Sequence, residues 1–216
     1  MKKILMTAGL FLVVAGVFAQ KNNPFNERGI QYVESLEIIR ADLEAGKVKD
    51  FNEESIRHYA STLPIQGNVS VETVAEIVAT LKDPGFNFEE QLEKARISDY
   101  AKEFLSNLPK SKETSLEEYK ESLIGRVDVV RHSEIDDEEK EMLLTQVAIT
   151  YNLIETNISL GEPNCWLTIN GIYPDTRMEC AVGGAIAGLI LGTIFCGGPW
   201  CYVVFGLVGG ILGFLS

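Results

Sequence analysis

The sequence predicts an all-α protein: a bundle of about six amphipathic helices, then a disulfide-linked loop, then a C-terminal apolar, glycine-rich helical hairpin. Three observations predict this. From Pro24 to Leu160 the apolar residues recur at three- and four-residue intervals, the period of helices. Capping residues and breakers punctuate that pattern. Beyond Cys180 the chain carries no charged side chain, and glycine recurs there at a fixed spacing. The expected divisions are a signal peptide over 1–19, an acidic helical domain over 20–160, a cysteine-containing connecting loop over 161–180, and the apolar hairpin over 181–216.

The N-terminal stretch MKKILMTAGLFLVVAGVFAQ has the parts of a secretory signal. Lys2 and Lys3 form its positive start, Ile4 to Val17 its apolar centre, and Ala19 supplies the small residue that a signal peptidase favours. The mature chain is then expected to begin near Gln20. The short two-lysine start has a bacterial character. No cysteine follows the cleavage region, which disfavours a lipoprotein.

In the body, the first helix is expected over about Asn26–Ala45, with Val33, Leu36, Ile39 and Leu43 on one face and Gly46 at its end. A second runs over about Asn52–Thr62 and stops at Pro64. Ser70 caps a third, whose stripe is Val71, Val74, Ala75, Val78 and Leu81, before Asp83-Pro84-Gly85 breaks it. A fourth spans Phe88–Leu108 as one helix, with Asn87 and Glu90 in a capping arrangement. Its inward residues are Phe88, Leu92, Ala95, Tyr100, Phe104 and Leu108. Ser115 and Glu118 form a capping box for a fifth, which reaches about Arg131 and turns Leu116, Tyr119, Leu123, Val127 and Val130 inward. The sixth runs from Asp136 to about Ile158. Acidic residues sit at its positive end, and Leu143, Val147, Tyr151, Ile154 and Ile158 run down one side.

Charge and chemistry narrow the function. All 31 acidic residues lie between Lys21 and Cys180, which leaves this segment strongly negative. That argues against nucleic acid as a partner, because phosphate binding needs a basic face. A soluble acidic surface is the simple reading, and a surface for a cationic partner the sharper one. No zinc spacing, phosphate loop or nucleophile elbow is present, and His58 and His132 fall in separate helices. Neither a metal nor a cofactor is expected, and the chain is not expected to be an enzyme.

The tail reads as two apolar halves, AVGGAIAGLILGTIF and YVVFGLVGGILGFL, around CGGPWC. Gly184, Gly188 and Gly192 are four apart, as are Gly206 with Gly210 and Gly209 with Gly213. In this spacing the tail resembles the glycine zipper, the GxxxGxxxG pattern of membrane helices. The resemblance covers residues 181–215 alone. It implies close backbone approach, so that packing substitutes for the hydrophobic drive that lipid removes. The tail also resembles hydrophobic bacteriocin segments, although those are short and cationic whereas this body is acidic. The first half, fifteen residues, is about 23 Å long as a helix, against a hydrocarbon core of roughly 30 Å. Gly197-Gly198-Pro199 would break one long helix, so a hairpin is expected, with Trp200 and Tyr202 at the distal interface.

The cysteines follow from that hairpin. Export places Cys165, Cys180, Cys196 and Cys201 in an oxidising compartment, where an even number is expected to pair. A helix over 181–195 holds Cys180 and Cys196 about 24 Å apart, beyond disulfide reach. The expected bridges are therefore Cys165–Cys180 and Cys196–Cys201. Together these observations predict an exported, non-enzymatic envelope or secreted protein whose hairpin meets membrane lipid and self-associates, as an anchor or a toxin-like inserter. The alternative is a soluble interaction module with the hairpin buried as its core.

Overall fold

The structure, a computed structural model, describes residues 22–47, 58–59, 71–81, 83, 85–108, 116–156 and 188. Its regular structure there is wholly helical. The helices with defined bounds are α1 (Asn26–Glu44), α2 (Val71–Leu81), α3 (Phe88–Lys94), α4 (Asp99–Ser106), α5 (Leu116–His132) and α6 (Asp137–Glu155). His58 and Tyr59, within the expected second helix, are also helical. α1, α4 and α5 all pack on α6.

α1 ends as its glycine predicts. Gly46 adopts φ 68°, a left-handed turn that costs glycine little. The Lys47 N–H then donates to the Asp42 carbonyl at 2.9 Å, closing the Schellman arrangement. At its start, Asn23 Oδ1 accepts from the Phe25 N–H at 3.0 Å, and the Asn23 side chain donates to the Leu144 carbonyl of α6 at 2.8 Å. The inner face carries Tyr32 and Val33, both buried. Val33 was expected there and Tyr32 was not.

In α2, Val78 and Leu81 are buried as expected, and Ile77 joins them. Asp83 Oδ1 accepts from the Gly85 N–H at 2.8 Å, forming the expected turn. Asn87 caps α3 by accepting from the Glu90 N–H at 3.0 Å. In α5, Tyr119, Leu123, Val127 and Val130 are all buried, as their spacing predicts. The Ser115 half of the α5 capping box lies outside the described residues.

Two expectations are corrected. The single helix over Phe88–Leu108 is two helices, α3 and α4. Ala95 takes an extended conformation with ψ 136°, and Ser98 starts α4 as an N-cap, accepting from the Ala101 N–H at 3.2 Å. The Glu139 carboxylate of α6 holds the junction, taking the Ser98 N–H at 2.6 Å and the Ser98 hydroxyl at 2.5 Å. The break shifts the buried phase by one residue. Ala101 and Leu105 turn inward, whereas Tyr100 and Phe104 are only half-buried.

The second correction concerns α6, which is not one-sided. Met142–Tyr151, Leu153 and Ile154 are all buried, so every face of its central turns is enclosed. The helix ends at Glu155, and Ile158 lies outside the described residues. At its N-terminus Asp136 accepts from the Glu139 N–H at 2.7 Å, in keeping with the acidic start read from the sequence.

The tightest crossing joins α1 to α6. A Cβ built on Gly29 would stand 2.4 Å from the Ala148 carbonyl oxygen and 2.7 Å from Asn152 Nδ2. Backbone cannot yield as a side-chain tip can. Gly29→Ala is therefore expected to lower stability by about 1–3 kcal/mol, through forced separation of the two helices. Gly125 in α5 meets nothing within 4 Å, so Gly125→Ala should raise stability by about 0.5–1 kcal/mol through helix propensity. Urea unfolding of the two variants checks both signs.

Candidate functional site

Most residues singled out in the sequence fall beyond the described part of the chain. Cys165, Cys180, Cys196 and Cys201 lie outside the described residues, as do Gly184, Gly192, Gly206, Gly209, Gly210, Gly213, Trp200 and Tyr202. Gly188 is described, and it is helical and buried. Among the described residues no helix is long and apolar enough to cross a membrane. No group of three or more His, Cys, Asp or Glu residues among them could hold a metal ion.

Besides the Ser98–Glu139 junction, two polar clusters stand out among the described residues. The first is the α1–α6 seam. Arg28 pairs with Glu141 at 2.7 Å, reaches the Thr145 hydroxyl at 3.3 Å, and lies over the Phe25 ring at 4.7 Å. About two turns along α6 from Thr145, Asn152 Nδ2 donates to Asn26 Oδ1 at 3.0 Å and to the Ala148 carbonyl at 2.8 Å. The Arg28–Glu141 ion pair is partly screened by water, so it orients the helices more than it stabilises them. Helical periodicity could not reveal this seam, because its residues are polar on a face read from apolar ones.

The second place is the C-terminal end of α1. Asp42 accepts from Lys47 Nζ at 2.8 Å and from the Tyr59 hydroxyl at 3.4 Å. The Lys47 hydrogen bond holds the Asp42 carboxyl below its ordinary range, with Tyr59 and the charge of Lys47 adding to the effect against some desolvation. Burial, then the neighbouring Asp42 carboxylate, pushes the Tyr59 phenol up to about 12. Burial also raises Tyr32 well above its usual value. His58 stacks edge-on against Tyr59 with ring centroids 5.1 Å apart. His132 is exposed at the end of α5, with its Nδ1 2.7 Å from the Asp128 carbonyl oxygen. The two histidines are thus in separate surroundings, as their sequence positions imply.

These arrangements can bind and orient helices. The chain matches no protein-family model, no curated protein and no solved structure among those compared.

The two tyrosines and Asp42 make the stability of the described part depend on pH. Raised phenol pKa values contribute stability that is complete below the ordinary value of 10.0 and is lost as pH rises beyond it toward the folded-state values. A depressed Asp42 contributes stability present above its ordinary 3.8, lost as pH falls through its lower folded-state value. Urea midpoints are therefore expected to fall above about pH 10 and below about pH 4. Tyr59→Phe should flatten the alkaline limb and Asp42→Asn the acid limb.

Proposed function

We propose that the chain is an exported, non-enzymatic protein of the cell envelope or the surroundings, whose C-terminal hairpin associates with a membrane and with copies of itself. The observation that carries this reading is the tail over 181–215, which lacks charge and sets Gly184, Gly188 and Gly192 on one helix face. A charged group at the bilayer centre costs about 2.5–3.5 kcal/mol on insertion scales, and this segment has none to insert. In this reading the helices gather as a bundle that the tail anchors, or that delivers the tail as an inserter. Signal cleavage after Ala19 supplies the route out of the cytoplasm, and Cys165–Cys180 and Cys196–Cys201 close the base and the tip of the hairpin.

A second reading has an observation of its own. Gly188 is helical and buried, as it would be if the hairpin were the apolar core of a soluble interaction module. Helices apolar on all sides occur in such cores.

Flotation with liposomes separates the two. Mature protein is expected to float with the vesicles, and a chain ending at Cys180 to stay in the soluble fraction with its cooperative melting intact. Full-length protein that stays wholly soluble, together with a truncated chain that loses its helicity, would establish the module instead. Peptide mapping of the oxidised protein should find Cys196 joined to Cys201. A bond from Cys180 to Cys196 or Cys201 would sink the hairpin.

A further inference from the structure

We infer that α4 is a hinged lid on α6, latched at one end by Glu139 and pivoting at the other on α5. The latch is the two-point grip of the Glu139 carboxylate on Ser98, at 2.6 Å to its N–H and 2.5 Å to its hydroxyl. The pivot is a pair of tethers to the last carbonyls of the lid. The Tyr119 hydroxyl donates to the Leu108 carbonyl, and Arg126 Nη2 donates to the Asn107 carbonyl at 2.9 Å. Arg126 also lies over the Phe104 ring at 5.6 Å. The hinge is the non-helical stretch from Ala95 to Ser98, bent along its length and extended at Ala95 and Ser98.

Two orphaned polar groups lie on this pair of helices. Among the described residues, Tyr100 Oη on α4 and Gln146 Oε1 on α6 are buried and meet no hydrogen-bond partner. Gln146 is 0 % exposed. Its Nε2 reaches only the Thr150 hydroxyl, at 3.5 Å, so turning the amide over would move the unmet group without removing it. Gln146 comes seven residues after Glu139, two helical turns less about 20°, and so shares the side of α6 that holds the latch. Opening the lid from its Ser98 end gives both orphans water, whereas the seam between α1 and α6 on the other side stays closed. Each unmet group biases the closed state by about tenfold toward opening. The Glu139 grip, a charge-assisted contact at the N-terminus of α4, opposes them.

Hydrogen exchange on the full-length protein tests the lid, with no dependence on how the tail is read. Amides of Ala101–Leu105 are expected to exchange at least about tenfold faster than those of Leu123–Val130 in α5, by local rather than global opening. Gln146→Leu and Tyr100→Phe should each slow α4 exchange about tenfold, since each removes an orphan from the closed state. Glu139→Ala should speed α4 exchange and leave α5 unchanged. A single exchange rate shared by α4 and α5 in the parent protein would overturn the lid. So would faster α4 exchange in both Gln146→Leu and Tyr100→Phe.

Discussion

The approach of Gly29 to the backbone of Ala148 sets the geometry on which the described body depends. With no Cβ in the way, α1 lies against α6 closely enough for short side chains to bridge the crossing. Asn23 reaches the Leu144 carbonyl, Asn26 meets Asn152, and Arg28 meets Glu141 and Thr145. The asparagine contacts need the separation that glycine permits, because Asn has little reach. The same closeness seals Tyr32 and Ser35 from water. Ser35 is content there because its hydroxyl donates to the Gln31 carbonyl one turn back, at 2.7 Å.

α6 is the consequence of that constraint and the centre of the body. It is covered on all sides, yet it carries Thr145, Gln146 and Thr150 among its apolar residues. A helix in this position would be more stable if wholly apolar, since buried amides and hydroxyls must find partners within the protein. Thr145 has one in Arg28, whereas half of the Gln146 amide does not. The two sides of α6 therefore differ. Toward α1 Thr145 is matched, whereas the Gln146 amide, on the side of α6 that carries Glu139, is matched only in part. A body built in this way concentrates its stability on one side of the central helix and its capacity to open on the other.

Much of the helix pattern was legible in the sequence, and the particular residues show why. Asn87, Asp136 and Gly46 act through local backbone chemistry, since a cap or a left-handed turn involves atoms only a few residues apart. α5 was legible at Tyr119, Leu123, Val127 and Val130 because one face of it meets the core. The expectation of one helix over Phe88–Leu108 failed for a non-local reason. Ser98 could have stayed inside a helix, and it became a cap with the help of a carboxylate 41 residues away. The one-residue change of phase that placed Ala101 and Leu105 inside, in place of Tyr100 and Phe104, follows from that contact.

The sequence by itself determined that the body is helical, where most of the described helices start and stop, and that acidic residues and the apolar glycine-patterned tail occupy separate parts of the chain. Such properties arise from periodicity, local hydrogen bonding and composition, all of which are present in the order of residues. Only the tertiary structure decided that α6 is the enclosed helix, that Gly29 sits at its crossing with α1, and that Glu139 divides α3 from α4. Burial is a property of neighbours. An uncharged stretch such as Met142–Ile154 reads the same whether one face or every face is covered, and only the helices that pack around it make the difference.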